Sequence, residues 1–407
     1  MKPLPIDSHD TQGQRPGISN AAFITLVIIT AIVPLILLVA PAAASQLATE
    51  MKLSPSQIGT YFFFELGAFS LGTLPSYLWL HRIDGRRVAL VSALILCLGN
   101  FATAYLVTGF VSLLVFRAIT ALAAGTLNVL CMMTAAKAEN PDRVFGICIV
   151  GQLVVGAVGL WIFPGLFATF GISALYVGMG LLAVAIIFVA RNFPDFMQKP
   201  QLAANSLNRE EAVPSSALIP VLVVASVFLF YIAMGGVWTF VHNSADAAGL
   251  DATTAGRVMS IATIMGVIGA AVASFLGGKV NRTLVLWVGY AAMVLSIVGL
   301  AFKGGPAEFT AAVFLFKFGW TFVLPFIFAA AASVSSSRLF GSLSLFVGGG
   351  LAIGPLIGGY LIQATGSTAT LYWSGAVVTA ISALMLNRIA AIGKSRQLSG
   401  QPSFQNQ

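Results

Sequence analysis

An all-α integral membrane protein of twelve transmembrane helices, arranged as two six-helix pseudo-symmetric halves, is the fold class this sequence predicts. Three observations carry that expectation. The chain of 407 residues is 58% hydrophobic and only 8% charged, whereas soluble proteins average about 25% charge. Apolar runs of about 20 residues, the length that crosses roughly 30 Å of hydrocarbon, recur along it. The chain also repeats itself: RVFG at 143–146 returns as RLFG at 338–341, and Gly159/Gly354 and Gly171/Gly366 keep the offset of Arg143/Arg338. Gly59 and Gly72 are matched in the same way by Gly256 and Gly269. Two copies of one design, neither able to bury a polar interior alone, put the working surface at the seam between them.

Taken in order, residues 1–20 are polar and proline-bearing, with too little apolar surface to fold, and read as a loose disordered tail. The run from 21 to 44 ends in APAAAS, which is like a signal-peptidase site. The long acid-bearing stretch before it, and the need for a sixth span in the first half, make it a transmembrane helix instead, kinked or thinned near Pro34 and Pro41. Further spans are expected at 57–80, 88–107, 110–133, 144–167 and 172–191, which completes a first bundle over 21–191. Residues 192–216 form the only long polar connection and divide the halves. Six more spans, at 217–241, 254–277, 284–302, 308–332, 340–362 and 371–390, build a second bundle over 217–390, followed by a tail at 391–407.

A net charge of +8 would suggest nucleic acid in a soluble chain. Here almost all Lys and Arg fall in the loops on one side, including Arg82, Arg86, Arg87, Lys137 and Arg143, while Lys52 and Lys303 lie on the other. The positive-inside rule then makes both termini cytoplasmic, in a bacterial inner membrane, with the lipid bilayer as partner and nucleic acid excluded. Cys97, Cys131 and Cys148 have no CxxC spacing and sit in apolar runs, so they read as core residues; no metal site and no cofactor are expected.

Twelve spans, a repeat of six and a long central loop resemble the major facilitator superfamily. In that family the connection after the second helix resembles Gly-x-x-x-Asp-Arg-x-Gly-Arg-Arg. Here SYLWLHRIDGRR supplies Gly85, Arg86 and Arg87, places His81 where an acid belongs and leaves Asp84 as the substitute in this gating loop. Arg117 with Ala121, Ala123 and Gly125 is loosely similar to the Arg-x-x-x-Gly-x-Gly pattern of the fourth span. Gly350, Gly354, Pro355, Gly358 and Gly359 spell a glycine-proline string that the family's antiporters carry in the fifth span, but here it stands in the eleventh. The resemblance implies a monomeric carrier in which two halves rock about a central site.

A charge inside a span is costly and marks a functional position. Glu65 is a carboxylate within the second span; Arg117 and Lys317 each follow a phenylalanine in the fourth and tenth, which are equivalent places in the two halves. Under the resemblance both cations would flank one cavity, an arrangement suited to an organic anion. Arg117 shares a helical face with Asn128, Lys317 shares one with Thr321 beside Trp320, and Tyr231, Trp238 and His242 form a stripe on the seventh span. Gln152 offers another polar spot. Plainer roles stand beside these: Arg117 as a structural or proton-coupling group, Lys317 reaching outward to the interface, Trp238 and His242 as an aromatic belt, and Arg257 as an interfacial anchor. Glu65 has three open roles, as proton carrier, as the partner of Arg117 or Lys317, or as a protonated packing group.

No GxxxxGK[ST], HExxH or GxSxG motif occurs, so the chain itself has no nucleotide loop and no enzymatic cluster. The expectation is a secondary transporter of a small organic anion, a carboxylate, coupled to protons, with a proton-coupled exporter of lipophilic drugs or metabolites as the alternative.

Overall fold

The computed structural model describes residues 19–72, 84–136, 138–193, 218–277, 279–302, 304–332 and 337–398, all of it helix and connecting turn. Residues 1–18, most of the central connection and the loop at 73–83, with His81 and Arg82, lie outside the described residues. Among the described residues ten helices are long and apolar enough to cross a membrane. Two further apolar segments complete the series. One is the broken first span, made of α1 (Asn20–Ile32), α2 (Leu35–Leu38) and α3 (Ala40–Glu50); the other is α4 (Pro55–Leu71).

The remaining helices of the first half are α5 (Gly85–Leu106), α6 (Phe110–Ala135), α7 (Pro141–Phe170) and α8 (Ser173–Ala190). The second half contains α9 (Leu218–Phe240), the short α10 (His242–Ala247), α11 (Ala252–Leu276), α12 (Arg282–Ala301), α13 (Pro306–Ala332), α14 (Ser337–Thr365) and α15 (Thr368–Leu398). The last helix runs on to Leu398, past the expected end at 390.

Helix starts follow from local chemistry. Ser54 and Gln57 form a capping box ahead of α4 with Pro55 in the first turn, so the orphan N–H groups are satisfied reciprocally. Asp84, Asn140, Asp251 and Asn281 cap α5, α7, α11 and α12 through their side chains. Glu50, at the end of α3, accepts the Ile172 N–H at 2.6 Å and so pins the first span to the turn before α8. The breaks in the first span fall where the proline positions place them, after Ile32 and at Val39.

One end of the bundle carries Arg86, Arg87, Arg143, Arg191, Lys279 and Arg282; the other carries Glu50, Asp246, Asp251 and Glu308. These are called the basic and acidic ends. Large apolar side chains such as Leu98, Val111, Leu181, Phe188 and Phe275 stand exposed on the outside, the surface a lipid-facing bundle presents.

The halves meet along two helix pairs, α4 with α14 and α7 with α11. Glycine sets how closely they approach. A Cβ on Gly59 would run into the Pro355 carbonyl of α14, and one on Gly359 would run into the Pro55 carbonyl of α4. Pro355 and Gly359 of the glycine-proline string thus pack at the seam, while Gly350 and Gly354 bring α14 close to α9 within the second half. Gly67, two turns along α4, has only the Ala352 Cβ nearby, at 3.8 Å. Gly59→Val is expected to lower stability by about 2 kcal/mol through overpacking, whereas Gly67→Ala stays near wild type. Thermal unfolding in detergent compares them, and equal midpoints for Gly59→Val and wild type would refute the close-approach account.

Candidate functional site

Two buried charge centres lie inside the bundle, one in each half. In the first half Arg117 projects from α6 about two turns after its start and is 1% exposed, and Glu65 from α4 is 2% exposed. Arg117 Nε donates to Glu65 Oε2 at 2.7 Å and Nη2 to Oε1 at 2.5 Å, a two-pronged pairing. Nη1 donates to Asn100 Oδ1 on α5 at 2.8 Å, and Asn100 Nδ2 donates to the Leu96 carbonyl. The guanidinium carbon lies 5.1 Å from the centre of the Tyr176 ring on α8. The Tyr176 and Tyr61 hydroxyls sit 3.0 Å apart. Four helices thus supply the carboxylate, the amide, the aromatic face and the cation. The planar fork of arginine fits this arrangement, since parallel N–H groups match the two carboxylate oxygens.

In the second half Lys317, on α13, is 6% exposed. Its Nζ stands 3.4 Å from the centre of the Trp238 ring on α9 and 5.1 Å from that of Trp320. Trp238 is itself 1% exposed, lies stacked with Phe316 at 6.4 Å and meets Trp320 edge-on. Among the described residues no carboxylate pairs with Lys317. A cation on an aromatic face in a dry site gains roughly 2 kcal/mol, less than the several kcal/mol that removing an ammonium from water costs. Lys317 is held in place by the two indoles but is not neutralised by them.

Of the roles open to Glu65, the structure shows the one of partner to Arg117, so the two cations differ: Arg117 is paired, and Lys317 has no carboxylate partner among the described residues. Trp238 and His242 do not form an interfacial belt. Both are buried, and His242 Nε2 pairs with Asp246 at 3.0 Å. Lys317 does not reach out to the interface. Arg257 is exposed but not merely an anchor, since its guanidinium lies 5.5 Å from the Trp161 ring, across the seam between α11 and α7.

Thr321 donates to the Gly266 carbonyl at 2.6 Å and ties α13 to α11. Tyr231 is buried beside Phe230 and against Gly350, where α9 packs on α14 within the second half. Asn128 and Gln152 are half-buried, and among the described residues neither bonds to either charge centre. In the gating loop Asp84 accepts the Arg86 N–H at 2.9 Å and so caps α5. Gly85 is buried there, and Arg86 and Arg87 are exposed.

Sequence reasoning missed Asn100, Tyr61 and Tyr176. Tyr61 carried a signal, since it precedes Glu65 by one helical turn and shares its face. Asn100 was visible as an amide inside an apolar run. Next to the ion pair, a small cavity of about 30 Å³ is walled by Pro34, Leu37, Glu65, Phe69, Arg117 and Ala124, among others. It is large enough for water and too small for an organic solute.

A multi-pass helical bundle with charges at mid-depth and a seam between two halves defines the class of membrane carriers. The chain belongs to the Major Facilitator Superfamily, whose family model matches residues 20–342. It is a secondary transporter by that membership, not an enzyme. Solved structures similar to it include a variant of the nucleoside transporter NupG (14% identity, TM-score 0.69), covering 91% of this chain and 99% of that one. The inward-open xylose transporter XylE from E. coli is similar at 11% identity and TM-score 0.71, covering 89% and 94%. A bacterial homologue of the human lysosomal transporter Spinster, inward-facing and occupied, is similar at 14% identity and TM-score 0.64, covering 94% and 97%. At these identities the likeness is one of fold.

Removing one member of a buried pair strands the other's charge, at a cost of about 3–5 kcal/mol. Glu65→Ala and Arg117→Ala are each expected to lower the unfolding midpoint sharply. Glu65→Leu combined with Arg117→Met should lose less than either alone. Additive losses in thermal unfolding would show that the two residues do not act as one neutral unit.

Proposed function

We propose that this chain is a proton-coupled transporter of a small organic anion, a carboxylate bearing one net negative charge. The observation that carries the reading is Lys317, a buried ammonium held on two indoles and lacking a carboxylate partner among the described residues. The buried charges Glu65, Arg117 and Lys317 leave one positive charge uncompensated. One carboxylate completes the balance, and the indole faces offer a seat to a flat or apolar stem. Arg117, already paired, orders the first half instead of holding substrate.

Glu65 is the carboxylate that supports proton coupling. It is bonded to Arg117 through both oxygens, and a proton taken up from the adjacent cavity would release the guanidinium and loosen α4 from α6. Among the similar structures is a D-xylose-proton symporter, at 15% identity and TM-score 0.70, and proton symport fits the same architecture here. With the basic end cytoplasmic, the protein takes its energy from the proton gradient and works by alternating access about the seam.

The test is uptake of labelled mono- and dicarboxylates, aliphatic and aromatic, into proteoliposomes with and without an inward proton gradient. Monocarboxylates are expected to accumulate with the gradient, and Lys317→Ala to cut uptake at least about tenfold, the loss of a charge-assisted contact. Movement of lipophilic dyes with no carboxylate uptake would replace this reading with that of an exporter.

A further inference from the structure

The first span is interrupted twice, and the interruptions leave α2 as an isolated turn of four residues. Pro41 gives the second break a chemical consequence. It has no N–H, so the Leu37 carbonyl four residues earlier loses the donor that any other residue at that position would supply. Trp238 takes up the vacancy: its Nε1 donates to the Leu37 carbonyl at 3.0 Å. That bond joins one half of the protein to the other. Hydrogen bonds that cross the seam among the described residues include this one, Ser260 to the Ala157 carbonyl at 2.7 Å and the Ser56 N–H to Gln363 at 3.2 Å.

The indole that makes this bond is the one beneath Lys317. A cation over the ring draws electron density from it and makes Nε1–H a better donor, so the two contacts reinforce each other. On its other side the same turn borders the ion pair, because Pro34 and Leu37 wall the cavity that reaches Glu65 and Arg117. One helical turn therefore touches the free cation through Trp238 and the paired charges through the cavity.

We propose that α2 couples the two charge centres, with the Trp238–Leu37 hydrogen bond as its latch and Trp238 as a positioning residue. While the ammonium rests on the indole the latch is strong and the seam stays closed at this depth. An anion that draws Lys317 off the ring weakens the bond and frees α2 to move against the Glu65–Arg117 pair. The coupling role rests on the reading of Lys317 as the anion site; the latch itself does not.

Pro41→Ala tests it by returning an internal donor to the Leu37 carbonyl. Spin labels at Thr49 and Ala307, exposed on either side of the seam at the acidic end, report closure once the three native cysteines are replaced. Pro41→Ala is expected to raise the ratio of long to short distances about fivefold, the weight of one hydrogen bond. Trp238→Phe should shift it the same way, and the double variant no further. An unchanged distribution in Pro41→Ala, or independent shifts that add in the double variant, would overturn the latch.

In proteoliposomes Pro41→Ala should keep anion exchange within about twofold while proton-driven accumulation falls about fivefold. Equal loss of both would mark a structural defect and overturn the coupling role. A wild type that exchanges no organic anion would defeat the reading of Lys317, and with it that role, while the spin-label distances still decide the latch.

Discussion

Charge held in hydrocarbon is the constraint on which the interior of this protein depends. Glu65 and Arg117 are among the most deeply buried polar groups of the first half, and neither is affordable alone. Their two-pronged pairing fixes α4 against α6, and the third guanidinium contact adds α5 through Asn100. Tyr176 brings in α8 by offering its ring face. The first bundle is thus organised from its centre outward by one cation whose donors and faces are each met by a different helix.

The second half has the same cationic position and a different solution. Phe316 and Lys317 stand where Phe116 and Arg117 stand in the first copy, yet α11 carries Ala262 near the place that α4 gives to Glu65. Without a carboxylate the ammonium falls back on indole faces. Tryptophan is the aromatic with the strongest pull on a cation, and its N–H keeps a polar tip that must find an acceptor when buried. The Leu37 carbonyl, deprived of its usual donor four residues on by Pro41, meets that need. A departure from the repeat in one half is matched by a backbone irregularity in the other.

Much of this was legible in the sequence, and the parts that were not share a physical reason. Hydropathy marked the spans because the bilayer imposes one length on all of them, and Pro34 and Pro41 marked the breaks because proline acts on its own backbone. Glu65, Arg117 and Lys317 stood out because ionised groups are rare in spans. What the sequence withheld was pairing. Arg117 and Glu65 are separated by a whole helix in the chain, and nothing local says whether a cation faces a carboxylate, a substrate or lipid. Trp238 and His242 looked like a belt because burial near a helix end depends on the neighbouring helix, here α13 and the break in the first span. Asp84 resembled a charge lock by position, and in the structure it caps α5.

The asymmetry between the centres bears on how a two-half carrier can be driven. A neutral pair changes state when it gains a proton, since protonation cancels the attraction that holds its helices together. An unpaired cation changes state when it gains an anion, since pairing relieves a desolvation cost already incurred in the empty site. Under the proposed function each half would then answer to a different ligand. Sensitivity becomes coupling only if a shared element feels both events. At the seam α4 and α14 approach to glycine contact. The short turn α2, set off from α1 and α3 by its own breaks, lies between the two centres and borders both, which is the place such a shared element has to occupy.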